Sequence, residues 1–258
     1  MTLRRIAFIN EKGGTCKTTL AVNTAAWFAT KRAKRVLLID LDTQGHAGKS
    51  LGIDVRTIPL NVFHWLTEPS RTLVEVTRGT AIPGLTVLPS YKQMADFPLK
   101  VANQSNRDVL LRERMAEVER AGYEVVIFDS PPSLGLTTTN ILLAATEVVV
   151  PVATTYLSLD GCAEMTETVR QVAQTENSKL RISLVVPTLY RKTALADEVL
   201  ERLEKYFPGR VARQPLALNV AIDEAQSHGK TIWEYAPWSR GATLLQSVAE
   251  DVDSAGTR

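Results

Sequence analysis

The chain has 258 residues, 45% of them hydrophobic, with 30 Lys and Arg against 28 Asp and Glu and a formal net charge of +2. That is apolar material enough for one α/β domain spanning 1–258, and a charge balance too even for a generally cationic nucleic-acid coat, so DNA contact would need a local patch. No apolar run approaches the roughly 18 residues of a membrane-crossing helix, the first strand leaves no room for a signal peptide, and Cys16 and Cys162 lack metal-ligand spacing to another Cys or His. The expected location is the reducing cytoplasm.

In chain order, the apolar run Ile6-Ala7-Phe8-Ile9 predicts a strand near 4–10. It enters Glu11-Lys12-Gly13-Gly14-Thr15-Cys16-Lys17-Thr18-Thr19 directly, and a helical pattern follows near 18–31. A glycine-containing loop between strand and helix turns successive backbone N–H groups toward one point, and the helix dipole adds to their pull on an anion. A lysine and two hydroxyls at the helix start suit a triphosphate carrying Mg²⁺.

A second strand near 35–40 ends in Asp40, with Asp42 two residues on; in extended geometry both side chains share a face. The stretch from Gly52 to Pro83 is less regular, interrupted by Pro59 and Pro69. Strands follow near 85–89 and 124–129, the latter ending at Asp129 before Pro131-Pro132, and then near 147–152 and 181–187. Helical patterns fall near 107–121, 137–145, 160–176, 194–206 and 240–252, and the small polar tail, about 251–258, is expected to fray. The alternation predicts an α/β fold with a mainly parallel twisted sheet covered by helices on both faces. Ligands of such sheets sit beyond the carboxyl ends of the strands, where Lys17, Asp42 and Asp129 fall.

The general phosphate-loop pattern is incomplete here, because Glu11 and Cys16 stand where glycines belong. The extra Lys12 before the double glycine accounts for the difference. With Asp40-x-Asp42 and Asp129-Ser130-Pro131-Pro132 in the same order, the chain resembles the ParA/MinD family of partition and positioning ATPases, which carry a deviant Walker A loop. The likeness continues through Leu159-Asp160-Gly161, Asp223-Glu224-Ala225 and Ser239-Arg240-Gly241-Ala242, and the length is that of the short ParA form.

The resemblance implies an ATP site built from Lys12, Gly13, Gly14, Thr15, Cys16, Lys17, Thr18 and Thr19. Lys17 would reach the β and γ phosphates, Thr18 would ligate Mg²⁺ and Thr19 would bond a phosphate nearer the base. Asp42 would orient the attacking water while Asp40 and Asp129 hold Mg²⁺ through its waters; alternatively Asp40 caps the next segment. Lys12 would cross a two-fold interface to the partner's nucleotide, giving a homodimer with ATP and monomers after hydrolysis. A side chain at Cys16 should demand an unfavourable backbone angle, and a thiol beside Lys17 and a helix N-terminus should have a depressed pKa.

The family divides by what the ATP dimer holds. A carboxy-terminal helix ending in Glu250 and Asp251 is repelled by anionic lipid, so no membrane partner is expected. For non-specific DNA the candidates are Arg191, Lys192, Lys230 and Arg240, extended by Lys205, Arg210 and Arg213. The arginines of the partition branch are absent from Pro215-Leu216-Ala217-Leu218-Asn219-Val220-Ala221. Arg202 and Lys205 read as solvated partners of Glu198 and Glu201, on a helix burying Leu195, Val199, Leu200 and Leu203. His228, Trp233 and Trp238 read as packing or loop-shaping residues, and His46 and His64 have no ligand-spaced partner.

The first reading is therefore an ATPase switch that binds DNA, positions a chromosome, plasmid or protein cargo, and is stimulated by a ParB-like partner. The alternative is an ATP-gated, protein-binding regulator or scaffold without DNA binding. An electron-donating enzyme like the nitrogenase iron protein needs cluster-ligating cysteines, which Cys16 and Cys162 do not supply.

Overall fold

The computed structural model describes residues 3–155 and 158–256. In chain order the elements are β1 (Arg4–Phe8), α1 (Lys17–Lys31), β2 (Val36–Asp40), α2 (His46–Lys49), α3 (Val62–Thr67), α4 (Leu73–Val76), β3 (Arg78–Gly79) and β4 (Leu85–Leu88). After a 3-10 turn at Lys92–Asp96 come α5 (Phe97–Lys100), α6 (Leu110–Arg120), β5 (Val125–Asp129), α7 (Leu136–Ala144), β6 (Glu147–Ala153) and α8 (Ser158–Thr175). The last third holds β7 (Arg181–Tyr190), α9 (Ala194–Tyr206), β8 (Leu216–Ala217), α10 (Val220–Ser227), α11 (Ile232–Tyr235) and α12 (Arg240–Ala255).

Among the described residues eight strands form one sheet in the order β3-β4-β2-β5-β1-β6-β7-β8, with only the β3–β4 pair antiparallel. Strands near the middle are apolar along their whole length because helices cover both faces. Alternation along β1 sends Ile6 and Phe8 to a layer with α1 and α12, and Ala7 to the opposite layer with Trp65, Phe97, Met115 and Met165. Each such buried side chain contributes about 1.5–3 kcal/mol relative to exposure, so the sheet centre is the rigid part of the molecule. Register carries the carboxylates to one end: Phe8 pairs with Asp129, and Asp129 with Asp40.

Several sequence-based boundaries shift. The first strand ends at Phe8, because the chain turns into the glycine loop from Ile9 onward, and the helix expected from 107 begins at Leu110. The short edge strands β3 and β8 and the helices α10 and α11 carried too few residues to show periodicity. On α9, Leu195 is exposed and the buried side is Ala196, Val199 and Leu203.

The tail does not fray at Asp251: α12 runs to Ala255, with Val252 and Ala255 buried, while 257–258 lie outside the described residues. Its acidic end is held by cations from other elements. Arg4 donates to both Glu147 oxygens at 2.7 and 2.9 Å and to the Val252 carbonyl; Arg32 donates to Asp253 at 2.7 Å; Arg213 pairs with Asp251 and Glu250. Cations at a helix C-terminus also satisfy its otherwise unpaired carbonyls. Among the described residues no helix is long and apolar enough to cross a membrane.

Candidate functional site

The loop after β1 wraps a cavity of about 590 Å³ at the carboxyl ends of the strands, lined by all of Gly13 to Thr19 together with Asp42. Its shape is fixed from beneath. Asn10 donates to the Pro151 carbonyl at 2.6 Å and accepts the Lys12 N–H at 2.9 Å, while the Thr188 hydroxyl donates to the Thr15 carbonyl at 3.2 Å. Gly14 takes φ +74°, and a Cβ there would meet nothing within 4 Å, so the backbone borders open space that an anion can enter.

Cys16 ends the loop at φ 66°, ψ 24°, a left-handed angle that a side chain resists by roughly 1–2 kcal/mol. The unfavourable angle expected from its replacing glycine is therefore present. The expected thiolate is not: burial pushes the Cys16 thiol up to about 11, the Asp223 charge adds to the shift, and Thr188 and Lys17 only partly oppose it. Its position at the start of α1 provides no side-chain cap, and the first turn has no acidic residue, which leaves helix N–H groups available to a ligand.

Lys17 is buried at 7% exposure, and its ammonium donates to the Lys12 carbonyl at 3.2 Å. Burial lowers its pKa, with Asp129 and Asp42 opposing that shift. Thr19 accepts from Gln226 of α10 at 2.6 Å, so a helix from the last third of the chain closes the cavity. Lys12 is exposed and reaches the Ser158 hydroxyl at 3.3 Å within its own chain.

The three carboxylates are differently engaged. Asp42 accepts the Gln44 N–H at 3.0 Å and lines the cavity. Asp40 is fully buried and accepts the N–H groups of Asp42 and Ala47 at 3.0 and 3.1 Å, so it ties β2 to the start of α2; burial, then the Asp129 charge, raises its pKa well above the usual range. Asp129 is also fully buried, yet among the described residues neither of its oxygens has a hydrogen-bond partner.

Burial pushes the Asp129 carboxyl to about 7, and the Asp42 charge reinforces the shift. The Thr18 hydroxyl and Lys17 oppose it, the hydroxyl lying near without completing a hydrogen bond. An orphaned buried carboxylate costs several kcal/mol unless a cation meets it, and here a threonine hydroxyl and a phosphate cradle adjoin it. That donor set fits Mg²⁺, which takes one or two carboxylates and completes its shell with phosphates and water. Consistently, the described residues hold no cluster of three or more His, Cys, Asp or Glu of the kind that cages a metal by itself.

The same cavity is lined by Gln44, His46, Lys49, Gln226 and Ser227, to which the sequence alone assigned no role, and by Pro132 of the Asp129-Ser130-Pro131-Pro132 motif. The first three were within reach of it, since they follow Asp42 directly; nothing local marks Gln226. The basic candidates are distributed elsewhere. Arg191 and Lys192 are exposed on the loop between β7 and α9, Lys230 follows α10, and Arg240 opens α12, all exposed. Arg213 is engaged by Asp251 and Glu250, and Arg202 by Glu198 at 2.6 Å, as solvated pairs. Trp233 packs, donating to the Asn23 carbonyl at 3.2 Å, but Trp238, just before the cap of α12, is 88% exposed and lies outside the core.

Comparison with known proteins agrees with this geometry. A family model described as "AAA domain" matches residues 3–182. The chain is 37% identical over 252 residues to the sporulation initiation inhibitor protein Soj of Bacillus subtilis, covering 97% of this chain and 98% of that one. It is 38% identical over 252 residues to the chromosome-partitioning ATPase Soj of Thermus thermophilus, covering 97% and 95%. Among solved structures, cobyrinic acid a,c-diamide synthase from Mycobacterium smegmatis with bound ATP analogue and magnesium superposes with a TM-score of 0.83 at 29% identity, covering 96% of this chain and 93% of that one. Matched over nearly its full length by both Soj proteins, the chain belongs to the family of Soj and ParA chromosome-partitioning ATPases.

Proposed function

We propose that this chain is a Mg²⁺-dependent ATPase that dimerises with ATP, holds non-specific DNA in that state, and so positions or segregates a chromosome, plasmid or protein cargo in the cytoplasm. The observation that carries the reading is the Asp129 carboxylate, buried without a partner beside Lys17, Thr18 and a glycine loop. The ATP analogue and magnesium in the Mycobacterium smegmatis synthase, and the partitioning named for the Thermus relative, support it.

Lys17 and the N–H groups from Gly13 to Thr19 bind and orient the phosphates. Thr18 and Asp129 hold the metal; Asp40, expected to share it, accepts the Asp42 and Ala47 N–H groups instead, which fits its other expected role as the cap of the next segment. Bound there, Mg²⁺ neutralises phosphate charge and acts as a Lewis acid on the phosphoryl oxygens. Asp42, anchored by the Gln44 N–H, holds the attacking water and accepts its proton. Lys12 exchanges its Ser158 contact for the partner subunit's nucleotide, supplying charge as an arginine finger does. Hydrolysis then returns monomers, and a ParB-like partner accelerates it.

DNA contact falls to Arg191, Lys192, Lys230 and Arg240, for which no ion pair is recorded among the described residues. A second reading, an ATP-gated protein-binding regulator without DNA, is favoured by Leu218 and Val220, which are 46% and 72% exposed where arginines would serve a DNA face.

Lys17→Ala should abolish nucleotide binding, whereas Asp42→Ala should retain it and accumulate an ATP-dependent dimer. A monomeric Asp42→Ala protein in saturating Mg-ATP, seen by light scattering, overturns the ATP-dependent dimer. A gel shift with non-specific duplex at two salt concentrations separates the readings: ATP-dependent, salt-sensitive retardation supports the first and its absence the second.

A further inference from the structure

The cavity has positive charge on two walls, and only one belongs to the phosphate loop. Besides Lys17, the short helix α2 contributes His46 and Lys49 to the lining of the same 590 Å³ space, three residues apart and therefore on one helical face. Both are exposed, so neither is part of the core. Among the described residues lining the cavity Asp42 is the one carboxylate, set against the ammonium groups of Lys17 and Lys49.

The segment bearing them is held firmly. Gly45 takes φ +63° and lies so close to the Ser90 backbone that a Cβ would sit 2.5 Å from its carbonyl oxygen. Asp40 receives the Ala47 N–H at 3.1 Å, and the Lys49 ammonium donates to the Gln44 carbonyl at 2.7 Å. Lys49 thus rests on a neutral acceptor beside the cavity, with two further donor positions on its ammonium for an anion.

We infer that His46 and Lys49 form a second phosphate-contacting wall, which grips the polyphosphate chain of the bound nucleotide from the side facing the glycine loop. The inference rests on the nucleotide-site reading above and extends it to residues with no place in the phosphate-loop pattern. Lys49 supplies a charge-assisted hydrogen bond and His46 an imidazole donor, and together with Lys17 they surround an anion from two separate elements. The ligand class recognised is the phosphate chain itself and not the base.

The test measures affinities of the full chain for Mg-ATP and for inorganic tripolyphosphate by displacement of a fluorescent nucleotide, with Lys49→Gln, His46→Asn and Lys49→Arg. Lys49→Gln should weaken both ligands by about 3- to 10-fold, the range for an exposed charge-assisted contact. His46→Asn should weaken both by a smaller factor, and Lys49→Arg should restore near-native affinity for both. Unchanged affinities in the Gln and Asn variants overturn the inference. So does a loss for ATP that spares tripolyphosphate, which assigns the contact to the nucleoside, or a loss that Arg does not rescue, which assigns Lys49 to loop packing. A native chain that binds neither ligand defeats the nucleotide-site reading itself.

Discussion

Replacing Asp129 by Asn should make the metal-free protein more stable at alkaline pH while removing Mg²⁺-dependent hydrolysis. The carboxyl is raised from an ordinary 3.8 to about 7, by burial first and by the Asp42 charge second. Its folded pKa lies above its unfolded one, so between the two values the folded state holds a proton that the unfolded state has lost. Stability then falls as pH rises, by about 1.4 kcal/mol per pH unit, and levels off above the folded value. Over that interval the penalty reaches ~4 kcal/mol, most of it between pH 4 and 7.

An amide of the same shape carries no charge to desolvate, so Asp129→Asn escapes the penalty. Urea unfolding in EDTA at pH 5.5, 7 and 8.5 should show the stability difference between variant and native chain growing by ~2 kcal/mol across the range. Mg-ATP should then raise the native midpoint by mass action and leave that of Asp129→Asn nearly unchanged. A gap that is the same at every pH, or a variant that loses stability as pH rises, refutes the argument that the orphaned carboxylate is strained by its burial.

Three further outcomes follow from the same geometry. Gly45→Ala puts a Cβ at 2.5 Å from the Ser90 carbonyl oxygen in a left-handed conformation, and should cost at least ~2 kcal/mol in thermal or urea unfolding; a neutral substitution contradicts the rigidity ascribed to this loop. Burial pushes the thiols of Cys16 and Cys162 up to about 11. Labelling with a maleimide at pH 7.5 should therefore run at least ~100-fold slower than for a free cysteine and accelerate with pH, whereas complete modification within minutes argues for a thiolate. Arg4→Ala leaves Glu147, which is 6% exposed at its side chain, with only the longer contact to Arg181 at 4.0 Å, and should cost about 2–3 kcal/mol. Hydrogen exchange should show the loss concentrated at the end of α12, and uniform exchange would indicate that Arg4 does not hold that helix.

What the sequence determined by itself was whatever depends on neighbours along the chain. Apolar runs set the strands at the sheet centre, since a strand buried on both faces has no polar positions to disguise it, and Glu11 to Thr19 announced the phosphate loop because its chemistry is carried by consecutive residues. Asp40, Asp42 and Asp129 were visible as strand-end carboxylates. Their division of labour was visible only in part: Asp40 stood open between metal and cap, and its acceptance of the nearby Asp42 and Ala47 N–H groups fits the cap, whereas that Asp129 finds no partner among the described residues depends on which segments the fold brings beside it. The Cys16 thiol shows the same limit, for its neighbours in sequence favour a thiolate and its burial against residues about 200 positions away prevents one. The helix expected to fray after Asp251 is likewise held by Arg4, Arg32 and Arg213, cations that only folding brings to it. Gln226 belongs to the cavity for that reason too, because desolvation and long-range contact are properties of packed space and not of chain order.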